Sequence, residues 1–161
     1  MSIKKVKPSG GFISGQFSPK NPNKYIGDVN NIICRSSWET RFCNFCDTND
    51  KIIKWSSEPI GIPYYSKLDQ KIHTYYVDFY IKVEKHDGQV DEMILEVKPQ
   101  KQTIKPVLES TRTTAKSLKA HNDRMRTWIV NMCKFQAAKD WAEKSGFQFK
   151  VVDEKFLFQN R

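Results

Sequence analysis

The sequence predicts an α/β fold of the α+β, mixed-sheet kind, with helices on its flanks and core elements in the order α, β, β, β, α, β. Three observations carry this. Two segments, Tyr75–Val83 and Asp91–Lys98, alternate in polarity on either side of the turn signal His86-Asp87-Gly88. Trp128, Met132, Phe135 and Ala138 recur at helical spacing and lead to Gly146, after which Phe147, Phe149 and Val151 alternate as a strand. Upstream, Trp38, Phe42, Phe45 and Cys46 share one helical face. The 161 residues suit one domain, and ten Phe, six Tyr and four Trp exclude wholesale disorder.

The elements follow in order. Residues 1–29 read as an extended basic N-terminal arm, because Met1–Gly27 holds five lysines, no acid and scattered Gly, Ser and Pro. Residues 30–161 are expected to be the folded domain. Ser36-Ser37-Trp38-Glu39 is a helix start, with a hydroxyl cap and an acid in the first turn, and Asn49-Asp50 ends that helix. Lys51–Tyr65 is β-rich but broken by Pro59 and Pro63, so it yields one or two short edge strands.

In Tyr75–Val83, Val77, Phe79, Ile81 and Val83 share one face, with Tyr76, Asp78, Tyr80 and Lys82 on the other. In the next strand Met93, Leu95 and Val97 oppose Ile94, Glu96 and Lys98. A three-residue loop with Gly88 left-handed sets Lys85 against Gln89 and so Asp78 directly opposite Glu96. A one-residue slip would put them on opposite faces. After Pro99, Gln100–Asn122 reads as a loop with a short helix around Val107–Leu118, followed by a helix over Asp123–Ser145.

The balance of 27 Lys and Arg against 18 Asp and Glu leaves +9, a surplus suited to a polyanion such as nucleic acid. No apolar run approaches the roughly 18 residues of a membrane span, and the basic start lacks the apolar stretch of a secretion signal. Cys43 and Cys46 have zinc-like spacing, but no second Cys or His pair stands at ligand distance, which favours buried thiols.

Asp78, Glu96, Val97 and Lys98 form the constellation with chemistry in it. Two carboxylates side by side on adjacent strands repel, and a divalent cation resolves the conflict. Mg²⁺, with Mn²⁺ as a substitute, takes one or two protein carboxylates and leaves positions for water and phosphate oxygens. Asp78, Glu96 and the carbonyl of Val97 are the expected metal ligands. Lys98 projects beside them, where its ammonium can orient or help deprotonate a water and offset charge at phosphorus. The competing account is an exposed polar face with a salt bridge.

Glu39 in a first helix, Asp78 on one strand and Glu96-Val97-Lys98 on the next resemble the PD-(D/E)xK nuclease superfamily, with Val77 where its usual Pro stands. Phe17-Ser18-Pro19-Lys20-Asn21-Pro22, Lys24-Tyr25-Ile26-Gly27-Asp28, Arg35-Ser36-Ser37-Trp38-Glu39, Ile62-Pro63-Tyr64, Asp69-Gln70-Lys71-Ile72-His73 and Glu96-Val97-Lys98-Pro99 resemble the head completion nucleases of T-even-like bacteriophages. The resemblance implies a restriction-endonuclease-like αβββαβ core and a metal-dependent endodeoxyribonuclease. Such an enzyme would act on packaged double-stranded DNA at the portal before tail attachment. It further implies portal and capsid proteins as partners, and a place in the phage head assembled in the host cytoplasm. Neither a membrane nor a nucleotide cofactor is expected.

Glu39 is implied as a distal metal or water ligand, against a plain role as cap partner to Ser36. Glu58, on the first strand segment, could be a further acid of the site, but an exposed edge carboxylate is the plainer reading. Arg35 and Arg41 suit phosphate contacts or salt bridges. The basic run with Lys101, Lys105, Arg112, Lys116 and Lys119 could track a DNA backbone or be a solvated face. Trp128, Phe135 and Trp141 read as core; Lys134 and Gln136 could reach the site. The rival function is a non-catalytic head-closure protein that binds portal and DNA around a vestigial acidic site. Regulatory DNA binding lacks any helix-turn-helix or zinc-finger signature.

Overall fold

The computed structural model describes residues 15–108 and 114–159. In chain order these form β1 (Gly15–Phe17), β2 (Ile32–Cys34), α1 (Ser37–Thr48), β3 (Ile52–Ser57), β4 (Gly61–Ser66), β5 (Lys71–Tyr76), β6 (Phe79–Glu84) and β7 (Val90–Val97). They continue with α2 (Ala115–Ser145), β8 (Gln148–Val152) and α3 (Glu154–Phe158). The central sheet has the order β3-β6-β7-β8; its first two pairings are antiparallel and β7–β8 is parallel. A parallel neighbour needs a long crossover, and α2 supplies it.

The expected β6–β7 register is present. Phe79 pairs with Leu95, Ile81 with Met93 and Glu84 with Val90. Lys85 N–H donates to Gln89 O at 2.7 Å across a loop in which Gly88 has φ +81°. Both faces of this sheet are covered. Phe79, Ile81, Met93, Leu95 and Val97 pack with Phe42, Cys43 and Cys46 of α1. On the other face Ile94 joins Ile62, Tyr64, Tyr75, Val77 and the α2 residues Ala138 and Ala142. Phe42, 1% exposed, packs with its ring tilted against Phe79, centroids 4.8 Å apart; truncating it to Ala would cost about 3–5 kcal/mol.

Ser36 caps α1, accepting from Glu39 N–H, and Gly146 ends α2 in the left-handed conformation, both as the sequence indicates. Four expectations are corrected. The strand read as Tyr75–Val83 breaks at Val77-Asp78: β5 pairs with β4 in a separate two-stranded ribbon, and Val77 packs into the α2-side cluster rather than with Phe79. The helix expected around Val107–Leu118 is not a separate one where the structure describes it: residues 109–113 lie outside the described residues, and residues 115–118 open α2, one 31-residue helix started by a Thr114–Ser117 capping box. That box satisfies two end groups reciprocally and lets the helix begin at Ala115, well before the apolar stripe that starts at Trp128.

The arm is not free over its described part, which is the third correction. Phe17 is buried, Tyr25 lies edge-on to Trp55 at 4.7 Å, and Lys20 and Asn21 N–H donate to the buried Asp47 carboxylate. Residues 1–14 lie outside the described residues. Finally, α3 was not expected; Asp153 caps it and Leu157 is buried against the α1 side. Among the described residues no helix is long and apolar enough to cross a membrane.

Candidate active site

The break between β5 and β6 is what shapes the site. Glu58, just past β3 with φ +45°, donates its N–H to Asp78 O at 2.9 Å and pins the bend. Asp78 then turns its carboxylate across to β7, where Oδ2 accepts from Val97 N–H at 2.8 Å. Glu96 precedes that amide in β7 and is 2% exposed. Lys98 follows, its own N–H tied to Val152 O of β8 at 2.9 Å, and its Nζ stands 2.9 Å from Glu96 Oε1. Tyr75, buried at the end of β5, donates its hydroxyl to Glu96 Oε2 at 2.6 Å.

Burial, and then the Glu96 charge, push Asp78 up to about 8; Lys98 and the Val97 amide act the other way, and the Glu39 charge raises it further. Burial works against the charged form of Lys98. The Glu96 charge and hydrogen bond, with Asp78 and Glu39, outweigh it and raise the lysine pKa. Burial and the adjacent Glu96 raise Tyr75 well beyond the usual phenol range, so it stays a donor. The protein alone therefore leaves the repulsion between Asp78 and Glu96 only partly offset.

That residual negative charge, carried by hard oxygen donors, is what a small divalent cation requires. Among the described residues Asp78 Oδ1 receives no hydrogen bond, which leaves it open to such a ligand. Among the same residues no group of three or more His, Cys, Asp or Glu is gathered to hold a metal. Two carboxylates and a neighbouring backbone carbonyl suit an ion that keeps most of its coordination for water and phosphate. Cys34 and Cys43 are a buried thiol pair, 3.4 Å between sulfurs, and Cys46 is wholly buried.

The other candidates divide. Glu39 serves the helix start, its carboxylate accepting from Arg35 N–H at 2.8 Å and Ser36 Oγ at 2.9 Å, while its charge is still felt at Asp78 and Lys98. Arg35 pairs with Glu58. Arg41 is drawn to α3 instead, donating from Nε to Leu157 O at 2.6 Å and lying 4.6 Å over the Phe158 ring. Lys101, Lys116 and Lys119 are exposed, and Lys105 stands over the Trp128 ring; Arg112 lies outside the described residues.

Trp141 packs on Phe147 at the edge of the α2-side cluster and Phe135 on Phe149 outside it, and both are half-buried, as is Trp128 beside the basic run. Gln136 binds Asp140, whereas Lys134 places its ammonium 5.5 Å from the Tyr75 ring centroid and 5.8 Å from that of Tyr64. Tyr75 escaped the sequence reading. Its partner is 21 residues away, and the only signal was an aromatic three residues before Asp78.

An Asp and an acid-x-Lys on neighbouring strands of a mixed sheet, flanked by helices, define the PD-(D/E)xK class of nucleases. Residues 49–154 match the family described as TnsA-like endonuclease N terminal. The chain is also 39% identical over 144 residues to the head completion nuclease of Enterobacteria phage T4, which covers 89% of this chain and 93% of that protein. No solved structure matches it. The chain belongs to the TnsA-like endonuclease family and, with the T4 protein, to the head completion nucleases.

Proposed function

We propose that this nuclease is a Mg²⁺-dependent endonuclease of double-stranded DNA, with Mn²⁺ as a substitute, and that it acts on packaged DNA at the portal before tail attachment. The observation that carries the reading is the convergence of Asp78, Glu96 and Lys98 at the end of β7, with Lys98 Nζ 2.9 Å from Glu96 Oε1. Asp78, Glu96 and the Val97 carbonyl would hold the cation. When bound, it supplies Lewis-acid polarisation of water and phosphate and relieves the carboxylate repulsion.

The chain's own part is positioning and charge. Lys98 keeps a positive charge at the carboxylates, where its ammonium orients a water and offsets charge on the phosphorus. Asp78 is held by two backbone amides, through its carbonyl from Glu58 and through Oδ2 from Val97, so it is preorganised. Exposed Lys101, Lys105, Lys116 and Lys119 leave the site along the chain onto the first turns of α2, a route for the phosphate backbone with salt-sensitive, sequence-independent affinity. Portal and capsid proteins are the proposed partners, and the phage head its place of action.

The test is nicking of supercoiled plasmid in Mg²⁺, Mn²⁺ or EDTA by wild type and Lys98→Ala, beside complementation for infectious particles. Metal-dependent nicking lost in the variant, with infectivity lost too, is the expected result. Full infectivity from a protein that cannot cut would leave a structural head-closure role.

A further inference from the structure

We propose that Tyr75 is a positioning residue of this site: its hydroxyl holds Glu96 Oε2, so that Oε1 is the oxygen presented to Lys98 and to a bound divalent cation. The inference rests on the metal-dependent reading above. Both Glu96 oxygens are engaged, Oε2 by Tyr75 at 2.6 Å and Oε1 by Lys98 at 2.9 Å, but their surroundings differ. Tyr75 is 4% exposed and sits among Ile62, Tyr64, Val77 and Ile94. The Lys98 side chain is 27% exposed. Oε2 therefore points into sealed core, and Oε1 toward the side that solvent and substrate reach.

Packing does not account for the hydroxyl. A phenylalanine would fill the same space without burying a polar atom, and a buried hydroxyl is tolerated only where it has a partner. Here the partner is a carboxylate of the site, on a different sheet from the tyrosine. The ring is held from a third element as well, because Lys134 of α2 lies over it. Ribbon, central sheet and α2 thus converge on the orientation of one carboxylate. Partners that orient metal ligands in this way typically change metal affinity 10–100-fold when removed.

The experiment is a Mn²⁺ titration of the full-length chain without DNA, reading free Mn²⁺ by electron paramagnetic resonance, for wild type and Tyr75→Phe. Plasmid cleavage is followed in parallel at rising Mn²⁺. The expected result is a 10–100-fold weaker Mn²⁺ affinity. Cleavage should fall at limiting Mn²⁺ and recover at saturation, a recovery that Lys98→Ala does not show.

A lowered melting temperature with Mn²⁺ affinity within about twofold of wild type would overturn the proposal and leave Tyr75 as core. Wild type that binds no Mn²⁺ would overturn the metal reading as well, so the two failures are told apart. If Tyr75→Phe does not fold, the wild type labelled with 3-fluorotyrosine serves. The Tyr75 fluorine resonance should move as Mg²⁺ binds, and a resonance unmoved at saturating Mg²⁺ overturns the proposal.

Discussion

The two ends of the β6–β7 hairpin are built on one register and carry opposite electrostatics. At the turn, cross-strand neighbours have opposite charges and meet in solvent: Lys82 with Glu92 at 4.0 Å, Lys85 with Asp91 at 3.1 Å. At the far end two carboxylates approach, Asp78 and Glu96, in a place where Glu96 is 2% exposed. Exposed pairs of the first kind contribute about 0.2–1 kcal/mol each. The second kind opposes folding and is retained only with Lys98, Tyr75 and the Val97 amide to offset it. The hairpin thus keeps its stable electrostatics where nothing reacts, and its unfavourable electrostatics where a cation and a phosphate would gain from them.

Lys98→Ala should widen that contrast most. Loss of one such group typically lowers a rate about 10²–10³-fold. The substitution also strips Glu96 of its counter-ion, so it reaches beyond catalysis. A partner removed from a buried pair costs about 3–5 kcal/mol, and the part-exposed Lys98 side chain brings this nearer 1–2 kcal/mol. Denaturant unfolding in EDTA beside the nicking assay separates the two losses. An unchanged stability would show that the ammonium is not holding Glu96.

Asp78→Asn should abolish cleavage and yet stabilise the metal-free fold. Burial holds the folded-state pKa near 8, above the ordinary value of 3.8, so in the window between them the unfolded chain gives up its proton first. Wild-type stability from this group is therefore greatest below the lower value, declines as pH rises through the window, and levels off above the upper one. Asn has no such slope and still offers an oxygen to the Val97 amide. The variant's advantage should be smallest at and below pH 4 and grow by about 1.4 kcal/mol per pH unit toward pH 8. Thermal melts in EDTA across that range measure it, and a variant less stable at every pH would make Asp78 a structural residue.

The comparison also shows what the sequence could reveal. Gly88 and the two alternating segments determine the register, and extending it one residue beyond Phe79 and Leu95 sets Asp78 opposite Glu96. The bend at Val77-Asp78 was hidden because apolar alternation continues through it; only pairing with β4 shows that Tyr75 and Phe79 belong to different sheets. The start of α2 was hidden for the opposite reason. Lys116, Lys119, Arg124 and Arg126 face solvent there and leave no apolar period to read. In the basic arm, averaged composition concealed two anchors, Phe17 and Tyr25, which pack on Trp55. Local patterns thus disclosed the acids and the lysine, while Tyr75, joined to Glu96 only through the tertiary fold, left no such pattern.

Glu39→Gln should have a smaller effect that decides between two roles. Gln keeps one oxygen to accept from Arg35 N–H and can turn its amide NH2 to donate to Ser36 Oγ, so α1 should lose less than about 0.5 kcal/mol. If the charge felt at Asp78 and Lys98 takes part in the reaction, cleavage should still fall by about 10-fold or more. Equal cleavage would confine Glu39 to capping the helix. Unfolding curves and nicking rates on one preparation give both readings.

The smallest effect is expected at the turn. Lys85→Ala removes an ion pair in which the lysine side chain is 41% exposed. Lys82–Glu92 remains, and the loop itself is closed by backbone bonds from Lys85 N–H to Gln89 O and from Gly88 N–H to Lys85 O. Those bonds do not depend on the side chain. Stability should change by no more than about 0.5 kcal/mol, shrinking further in high salt as the charges are screened. Cleavage should stay at the wild-type rate, because the substitution alters neither the register nor any group at Asp78. A drop in cleavage without a drop in stability would break the comparison directly: the turn would then be part of the surface that meets the substrate, and the division of the hairpin into a stabilising end and a reacting end would be wrong.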